Sequence, residues 1–209
     1  MTHEFLETAN DVLINVYPFW PVQFERGDGV YLYDKDNRKY LDFGTGIAVC
    51  SLGYNYPGYN DIIIEQTQKL HMGLCYVATD ERLNAARNLV EHSGLDQVFF
   101  CSTGAEAVEG CLKTARKWAT ETKGKDAFEI IYVNDSFHGR TMGALSVNGQ
   151  QDLREGFEPL MPGTRQAVVN DIDSIKEQIG PNTAAVIEAI ALAAARGRRR
   201  DRKRPSASI

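Results

Sequence analysis

The segment Val98-Phe-Phe-Cys-Ser-Thr-Gly-Ala-Glu106 indicates the fold class most directly, because a short apolar run passes through small residues straight into a helical pattern. The apolar run predicts a buried strand, and the pattern over residues 105–120 predicts a helix that begins after a tight turn. Free N–H groups at the start of a helix, together with the helix dipole, suit a phosphate. A turn capped by Ser102 or Thr103 explains the same residues without a ligand, and the segment alone leaves both interpretations open.

Three further apolar runs have the same character. Each is short and bounded by turn residues, which predicts strands buried on both faces at residues 130–133, 166–169 and 184–187. Helical patterns cover residues 59–72, 80–93, 105–120 and 172–179, and aromatic runs with turn residues predict a hairpin within residues 22–43. Alternating strands and helices are typical of an α/β fold with a mostly parallel sheet flanked by helices.

A second polar cluster, Ser136-Phe-His-Gly-Arg-Thr141, follows the run at residues 130–133. An aromatic ring beside a guanidinium suits a ring-shaped cofactor and a carboxylate substrate, because guanidinium binds carboxylate through two hydrogen bonds. The alternative is a core Phe137 and a surface ion pair at Arg140, and it is favoured for this cluster in isolation. His138 has no Cys, His or acidic partner at ligand spacing, so no metal site is expected.

Composition predicts a cytoplasmic protein. The chain has no run of about 18 apolar residues that would span a membrane, and its first residues lack the basic and apolar segments of a secretory signal. Its four cysteines stand at no metal-ligand spacing. We therefore expect structural thiols in a reducing compartment, no bound metal and no membrane association.

The last residues differ chemically from the rest of the chain. Residues 191–209 carry seven Lys or Arg and one Asp, whereas the whole chain has a net charge of −5. A basic tail for nucleic-acid binding or targeting is one explanation. Out-of-frame translation after a lost or gained base is the other, and the Arg- and Ala-rich composition without apolar periodicity favours it. A nucleic-acid partner is therefore not expected, despite the basic tail.

Taken together, these segments resemble the class III pyridoxal-phosphate-dependent aminotransferases, and within them the acetylornithine branch, from about residue 16 to residue 188. Residues 102–109 and 136–141 look like the two cofactor-site signatures of that family. Residues 17–21 are similar to its aromatic-proline opening. The resemblance implies an α/β fold that is the N-terminal half of a fold-type I aminotransferase, with a mostly parallel sheet that is incomplete in this chain.

The resemblance also implies a pyridoxal 5'-phosphate site. Three consecutive residues would hold the cofactor phosphate: Thr103, Gly104 and Ala105. Phe137 would stack on the pyridine ring, and Arg140 would bind the α-carboxylate of the substrate. Glu188 aligns with the first glutamate of the family's Glu-Pro-x-Gln-Gly-Glu phrase and is a possible active-site carboxylate, although Ala189 replaces the proline.

The family's Schiff-base lysine has no counterpart assigned among the nine lysines of the chain. No catalytic residue is therefore named, and this chain on its own is expected to be inactive. The resemblance divides the chain into three parts. Residues 1–45 are an N-terminal segment with the hairpin and belong to the family's small domain, residues 46–188 are part of the large cofactor-binding domain, and residues 189–209 are a basic tail outside the family, a possible frameshift.

By the same resemblance, the intact enzyme would move an amino group from N-acetylornithine to 2-oxoglutarate in arginine biosynthesis, as a homodimer. Ornithine and 4-aminobutyrate aminotransferases are the alternatives within the family, and a non-catalytic phosphate-binding α/β module is the alternative outside it. The family's strand order also separates residues 98–101 from the other strands of this chain. We expect this run to lack lateral partners, while the strands near residues 130, 166 and 185 pair with one another.

Overall fold

A computed structural model describes residues 4–188 of the chain. The chain divides into two units, Met1–Asn84 and Ala85–Ile209. The predicted basic tail, residues 189–209, lies outside the described residues, and the predicted domain boundary at residue 45 stays a prediction. No helix between residues 4 and 188 is sufficiently long and apolar to cross a lipid bilayer.

The first unit contains a three-stranded antiparallel sheet. Its helices are α1 (Glu4–Val12), the four-residue α2 (Thr45–Ala48), α3 (Tyr59–Leu70) and the first residues of α4 (Asp80–Ser93). Its strands are β1 (Phe24–Asp28), β2 (Tyr31–Asp34) and β3 (Lys39–Leu41), and they pair in the order β1-β2-β3. The hairpin predicted within residues 22–43 is confirmed, with β1 as an additional strand.

Asp34 holds the turn between β2 and β3. Its Oδ1 accepts hydrogen bonds from the backbone N–H groups of Asp36 at 3.0 Å and Arg38 at 2.9 Å. Its Oδ2 accepts from the Tyr40 hydroxyl at 2.8 Å. Because one nearly buried carboxylate satisfies donors on the turn and on the following strand, it fixes how the two strands are aligned.

The second unit has an α/β architecture. After the end of α4 come α5 (Gly104–Lys123), β4 (Glu129–Val133), α6 (Met142–Ser146), a 3-10 turn (Gln151–Leu153), β5 (Thr164–Ala167), α7 (Ile172–Gln178) and β6 (Thr183–Ile187). The three strands pair in parallel in the order β5-β4-β6. The predicted fold class and the predicted pairing of these three strands are confirmed.

β4 lies at the centre of this sheet and is buried on both faces. On the side of α5, the core cluster is formed by Leu112, Ala119, Ala127, Ile130, Tyr132, Val147 and Ala184. On the side of α7, it is formed by Ile131, Val133 and Ala167, with Val169 and Ile175 partly buried against them. Full burial of one aliphatic side chain of this size stabilises a fold by about 1.5–3 kcal/mol, so the end of β4 is a rigid base for the loop that follows it.

Residues 98–101 do not form a strand, and their predicted burial is wrong. Phe99 is 74% exposed and Phe100 is 40% exposed. Within residues 4–188 no strand lies beside this run, because β5 and β6 are the two edges of the sheet. The expectation that it lacks lateral partners in its own chain stays a prediction. Without a neighbouring strand among the described residues, the run has no sheet to be buried in, and its two phenylalanine rings stay partly or largely exposed.

We expect the 209-residue chain to be marginally stable and to self-associate, because the run at residues 98–101 exposes apolar surface that another molecule can cover. Circular dichroism melting should show no cooperative transition above about 45 °C, the lower limit for ordinary mesophilic domains, and light scattering should grow with concentration. Phe99→Asp should reduce the scattering more than the matched change Phe157→Asp, at a residue that is 56% exposed elsewhere. A monodisperse sample with a cooperative transition above that temperature contradicts the prediction.

Candidate active site

The first turn of α5 is closed by a capping box. Thr103 is the N-cap residue, and its hydroxyl oxygen accepts a hydrogen bond from the N–H of Glu106 at 3.1 Å. The Glu106 carboxylate accepts in return from the N–H of Ser102 at 2.6 Å and the N–H of Thr103 at 3.2 Å. The box therefore satisfies donors that a helix start otherwise leaves unpaired. Of the two cap residues considered from the sequence, Thr103 is the one used.

The donors that remain for a ligand are the N–H groups of Gly104 and Ala105, which have no hydrogen-bond partner among residues 4–188. The Thr103 hydroxyl also keeps its hydrogen for donation, since it acts as an acceptor towards Glu106. A Cβ placed on Gly104 would meet no atom within 4 Å, so the space at this position is open. With the positive end of a 20-residue helix behind it, this arrangement suits an anion such as a phosphate.

The loop after β4 lies against the same turn, and Gly139 makes this possible. Gly139 has a φ of +133°, a conformation that L side chains rarely adopt. A Cβ at this position would lie 2.8 Å from the Cβ of Ala105, which is closer than two such carbon atoms approach. Only glycine fits here, and its contact with Ala105 brings the two signature segments together.

The loop that makes this contact carries an aromatic ring and a guanidinium. Phe137 is half-buried and Arg140 is exposed. The Cζ atom of Arg140 lies 6.0 Å from the centroid of the Phe137 ring, so the two groups form one local pair. The loop that contacts the open turn thus carries both an aromatic ring and a planar cation.

Glu188 lies at the end of the sheet where the loop after β4 begins. β6 runs parallel to β4, and Ile187 pairs with Tyr132, so Glu188 follows next to the end of β4 where the loop begins. Its side chain is exposed. Ligands of open α/β sheets bind at the carboxyl ends of the strands, and this edge carries both Glu188 and the loop with Phe137 and Arg140.

His138 is a buried imidazole within this loop. It is 5% exposed, and its Nε2 atom has no hydrogen-bond partner among residues 4–188. Burial lowers the pKa of His138, because the imidazolium would lose its hydration without gaining a partner. No three His, Cys, Asp or Glu side chains in the described part of the chain are arranged to bind a metal. The structure therefore places His138 in the interior, where burial favours the neutral imidazole.

Three residues that the sequence did not single out contribute to this geometry: Glu106, Glu109 and Asn148. Glu106 was detectable, because Thr103-x-x-Glu106 is the sequence signature of a capping box. Asn148 holds the loop through bonds to the N–H of His138 and the carbonyl of Gly139. These bonds join residues nine and ten positions apart, outside any single helix or strand, and no local sequence pattern indicates them.

The family model that matches this chain describes aminotransferase class-III and covers residues 15–197. The chain belongs to the class-III aminotransferases. The acetylornithine aminotransferase of Clostridium acetobutylicum is 43% identical to it over 179 residues, which are 86% of this chain and 46% of that protein. The succinylornithine transaminase of Photorhabdus laumondii is 41% identical, over 81% of this chain and 42% of its own length. This class-III chain thus spans less than half the length of the curated relatives that it matches.

A solved class-III structure agrees with the fold. The ornithine aminotransferase of Toxoplasma gondii matches with a TM-score of 0.82 and 31% identity, over 87% of this chain and 44% of that one. In a second structure of that enzyme, pyridoxal phosphate partly occupies the active site. Pyridoxal phosphate is the cofactor of class-III aminotransferases. The residues of this chain fit such a group, since an open turn with two unpaired N–H donors contacts a loop that carries an aromatic ring and a cation.

The buried His138 should make the stability of the chain depend on pH. Its pKa is lowered in the folded state, so the unfolded chain binds a proton more readily than the folded chain does. The free energy of unfolding should therefore be fully present above the ordinary histidine value of 6.5 and decrease as the pH falls below it. Urea titrations at low protein concentration, from pH 8 down to pH 5, measure this.

Variants separate His138 from other titrating groups. His138→Gln should flatten the dependence between pH 8 and pH 5, whereas His92→Gln at an exposed site should leave it as in the parent chain. Asp42, whose pKa is lowered by bonds from the Thr45 N–H and the Tyr54 hydroxyl, contributes in a separate window below its ordinary value of 3.8. An equal slope in the parent chain and in His138→Gln would show that His138 does not sense pH.

Proposed function

We propose that this chain supplies the phosphate-binding, ring-stacking and carboxylate-binding parts of an aminotransferase that moves an amino group from N-acetylornithine to 2-oxoglutarate. The observation that carries the proposal is the approach of Gly139 to Ala105, which sets the loop with Phe137 and Arg140 beside the open turn at Gly104. The relatives named acetylornithine aminotransferase and succinylornithine transaminase support the choice of substrate class.

In this proposal, the first turn of α5 binds the phosphate of pyridoxal phosphate. The N–H groups of Gly104 and Ala105 donate to its oxygens, and the hydroxyl of Thr103 donates a third hydrogen bond. Because the helix already fixes these donors, they need no reorganisation when the ligand binds. When bound, the cofactor supplies the electron sink through which an amino group leaves one substrate and is delivered to another.

The loop after β4 positions the reacting groups. Phe137 covers one face of the cofactor ring and excludes water from it. Arg140 binds the α-carboxylate of the substrate through two hydrogen bonds, which orients the substrate as well as attracting it. Glu188 is a candidate active-site carboxylate at the same edge of the sheet.

Homodimeric assembly and a cytoplasmic location are also part of the proposal. The four cysteines are unpaired, which agrees with a reducing compartment. An ornithine aminotransferase is the second candidate, because the Toxoplasma gondii enzyme of that name matches with a TM-score of 0.82. Initial rates with N-acetylornithine and with ornithine as amino donors distinguish the two candidates, and they are measured on a protein that continues past residue 188, because the 209-residue chain is expected to be inactive. Light scattering after size exclusion gives the assembly state of that protein.

Gly104→Ala should separate cofactor binding from folding. The added methyl group meets no protein atom within 4 Å, and Ala is a better helix former than Gly by about 0.8–1.0 kcal/mol in a helix interior. The free energy of unfolding should therefore stay the same or rise slightly. The same methyl group would take up space that a phosphate needs, so the Kd for pyridoxal phosphate should rise by roughly tenfold, about 1.4 kcal/mol.

Equilibrium dialysis of the 209-residue chain against pyridoxal phosphate measures this Kd. Gly180→Ala is the matched control, because its methyl group also meets no atom within 4 Å and it lies at the end of α7. The control should bind the cofactor as the parent chain does. Equal affinities of the parent chain and Gly104→Ala would remove the first turn of α5 from the phosphate site.

Activity should require sequence in addition to the described half. The reaction needs a lysine amine next to the bound cofactor. The first lysine of α5 after the turn is Lys113, nine residues past Gly104, which places it about 13 Å away along the helix axis. We therefore expect the 209-residue chain to form no glutamate from N-acetylornithine and 2-oxoglutarate above background.

A chimera that continues from residue 188 with the second half of the Clostridium acetobutylicum relative should be active, and in it Arg140→Ala should raise KM strongly.

Loss of a bidentate, charge-assisted contact costs about 2–4 kcal/mol, or roughly thirty- to several-hundred-fold in KM. Arg165→Ala is the control, since Arg165 is a half-exposed residue paired with Glu129 at 2.9 Å and lies away from the loop. Its KM should match that of the parent chimera. Unchanged kinetic constants in Arg140→Ala would remove Arg140 from the substrate site, and borohydride-sensitive turnover by the 209-residue chain alone would contradict the expected inactivity.

A further inference from the structure

The loop from residue 134 to residue 141 carries both Phe137 and Arg140, and loops are mobile unless other groups hold them. Asn148 holds its middle. The Oδ1 atom of Asn148 accepts a hydrogen bond from the N–H of His138 at 2.7 Å, and its Nδ2 donates to the carbonyl of Gly139 at 2.9 Å. Asn148 is fully buried. One buried amide therefore fixes two consecutive residues that lie between the aromatic ring and the guanidinium.

Glu109 holds the far end of the same loop. Its Oε1 accepts hydrogen bonds from the Thr141 hydroxyl and from the N–H of Ala144 at 3.2 Å. Thr141 is the N-cap residue of α6 but makes no cap bond with its own side chain. The Glu109 carboxylate thus caps α6 from outside, and it does so from α5, the helix whose first turn carries Gly104.

We propose that Glu109 and Asn148 are positioning residues that fix Phe137 and Arg140 relative to the first turn of α5. The two anchors act on either side of Gly139, whose close approach to Ala105 sets the third contact of the loop. The functional meaning of this role rests on the proposed function, in which the loop and the turn hold one cofactor. The anchoring itself is a property of the chain without ligand.

If Glu109 and Asn148 only stabilised the unit as a whole, their loss would raise hydrogen exchange throughout it and not mainly in the loop. Asn134 provides the comparison, because it is the first residue of the loop, outside residues 137–141, and its Oδ1 accepts from the N–H of Val169 at 2.6 Å, which joins the start of the loop to the segment after β5. Loss of either asparagine removes a hydrogen bond from a loop of the same unit. Only loss of Asn148 should release residues 137–141 selectively, whereas a general loss of stability would raise hydrogen exchange throughout β4 as well.

Hydrogen–deuterium exchange of the 209-residue chain tests the anchoring. In Asn148→Ala and in Glu109→Ala, exchange of the amides in residues 137–141 should rise by roughly tenfold or more, and by more than exchange in β4. Asn134→Ala and Glu121→Ala are the controls, the latter on α5 where Glu121 pairs with Lys117 at 2.9 Å. Neither control should change exchange in residues 137–141.

A conservative variant shows whether a rise in exchange comes from the lost hydrogen bonds or from misfolding. Glu109→Gln keeps an acceptor for Thr141 and Ala144 and should restore most of the protection. Equal rises in residues 137–141 and in β4, or the same rise in the controls, would overturn the proposal, and so would full loss of protection in Glu109→Gln.

Cofactor binding supplies the second readout. The Kd for pyridoxal phosphate should rise by roughly tenfold in Asn148→Ala and Glu109→Ala, while the Kd for inorganic phosphate, which needs only the turn at Gly104, should stay unchanged. An unchanged Kd for pyridoxal phosphate in both variants would overturn the positioning role. If the parent chain binds no pyridoxal phosphate while the exchange changes occur as expected, the proposed function fails and the anchoring of the loop stands.

Discussion

The close approach of Gly139 to Ala105 is the constraint on which the candidate site depends. A Cβ on Gly139 would lie 2.8 Å from that of Ala105, and its φ of +133° also disfavours any residue with a side chain. The loop after β4 can therefore rest on the first turn of α5 only at this residue. Phe137 lies two residues before the contact and Arg140 one residue after it, so their distance from the turn follows from the contact itself.

The contact between Gly139 and Ala105 fixes the position of the loop because α5 and β4, the elements on its two sides, are both rigid. α5 packs into the core through Leu112 and Ala119, and β4 is buried on both faces between β5 and β6. The loop begins from the fixed end of β4, and Asn148 and Glu109 bind it further along. A chain segment without regular structure is held by contacts to regular elements on each side, as binding loops on α/β scaffolds generally are.

The sequence predicted elements whose signals are local. α4 spans the predicted residues 80–93, since Thr79 caps it and Gly94, with a φ of +72°, ends it. The strands near residues 130, 166 and 185 pair as predicted. Residues 98–101 were predicted wrongly because an apolar run shows what a segment would bury, not whether this chain offers it a neighbouring strand. Asn148 was missed for a similar reason, since its partners depend on the path of the loop rather than on nearby sequence.

The capping box limits how strongly the first turn of α5 can bind a phosphate. Glu106 takes up the N–H groups of Ser102 and Thr103 and leaves a carboxylate close to the turn, so a phosphate there meets few donors and a nearby negative charge. Phosphate binding at a helix start depends on free N–H donors and on the helix dipole. In this chain the Glu106 carboxylate occupies two of the donors, and its negative charge opposes the attraction of the dipole for an anion. A ligand held tightly at Gly104 must therefore gain affinity from groups outside the turn. In the proposed function, Phe137 and Arg140 supply this affinity from the loop, and the anchors at His138–Gly139 and at Thr141 would hold them for that purpose.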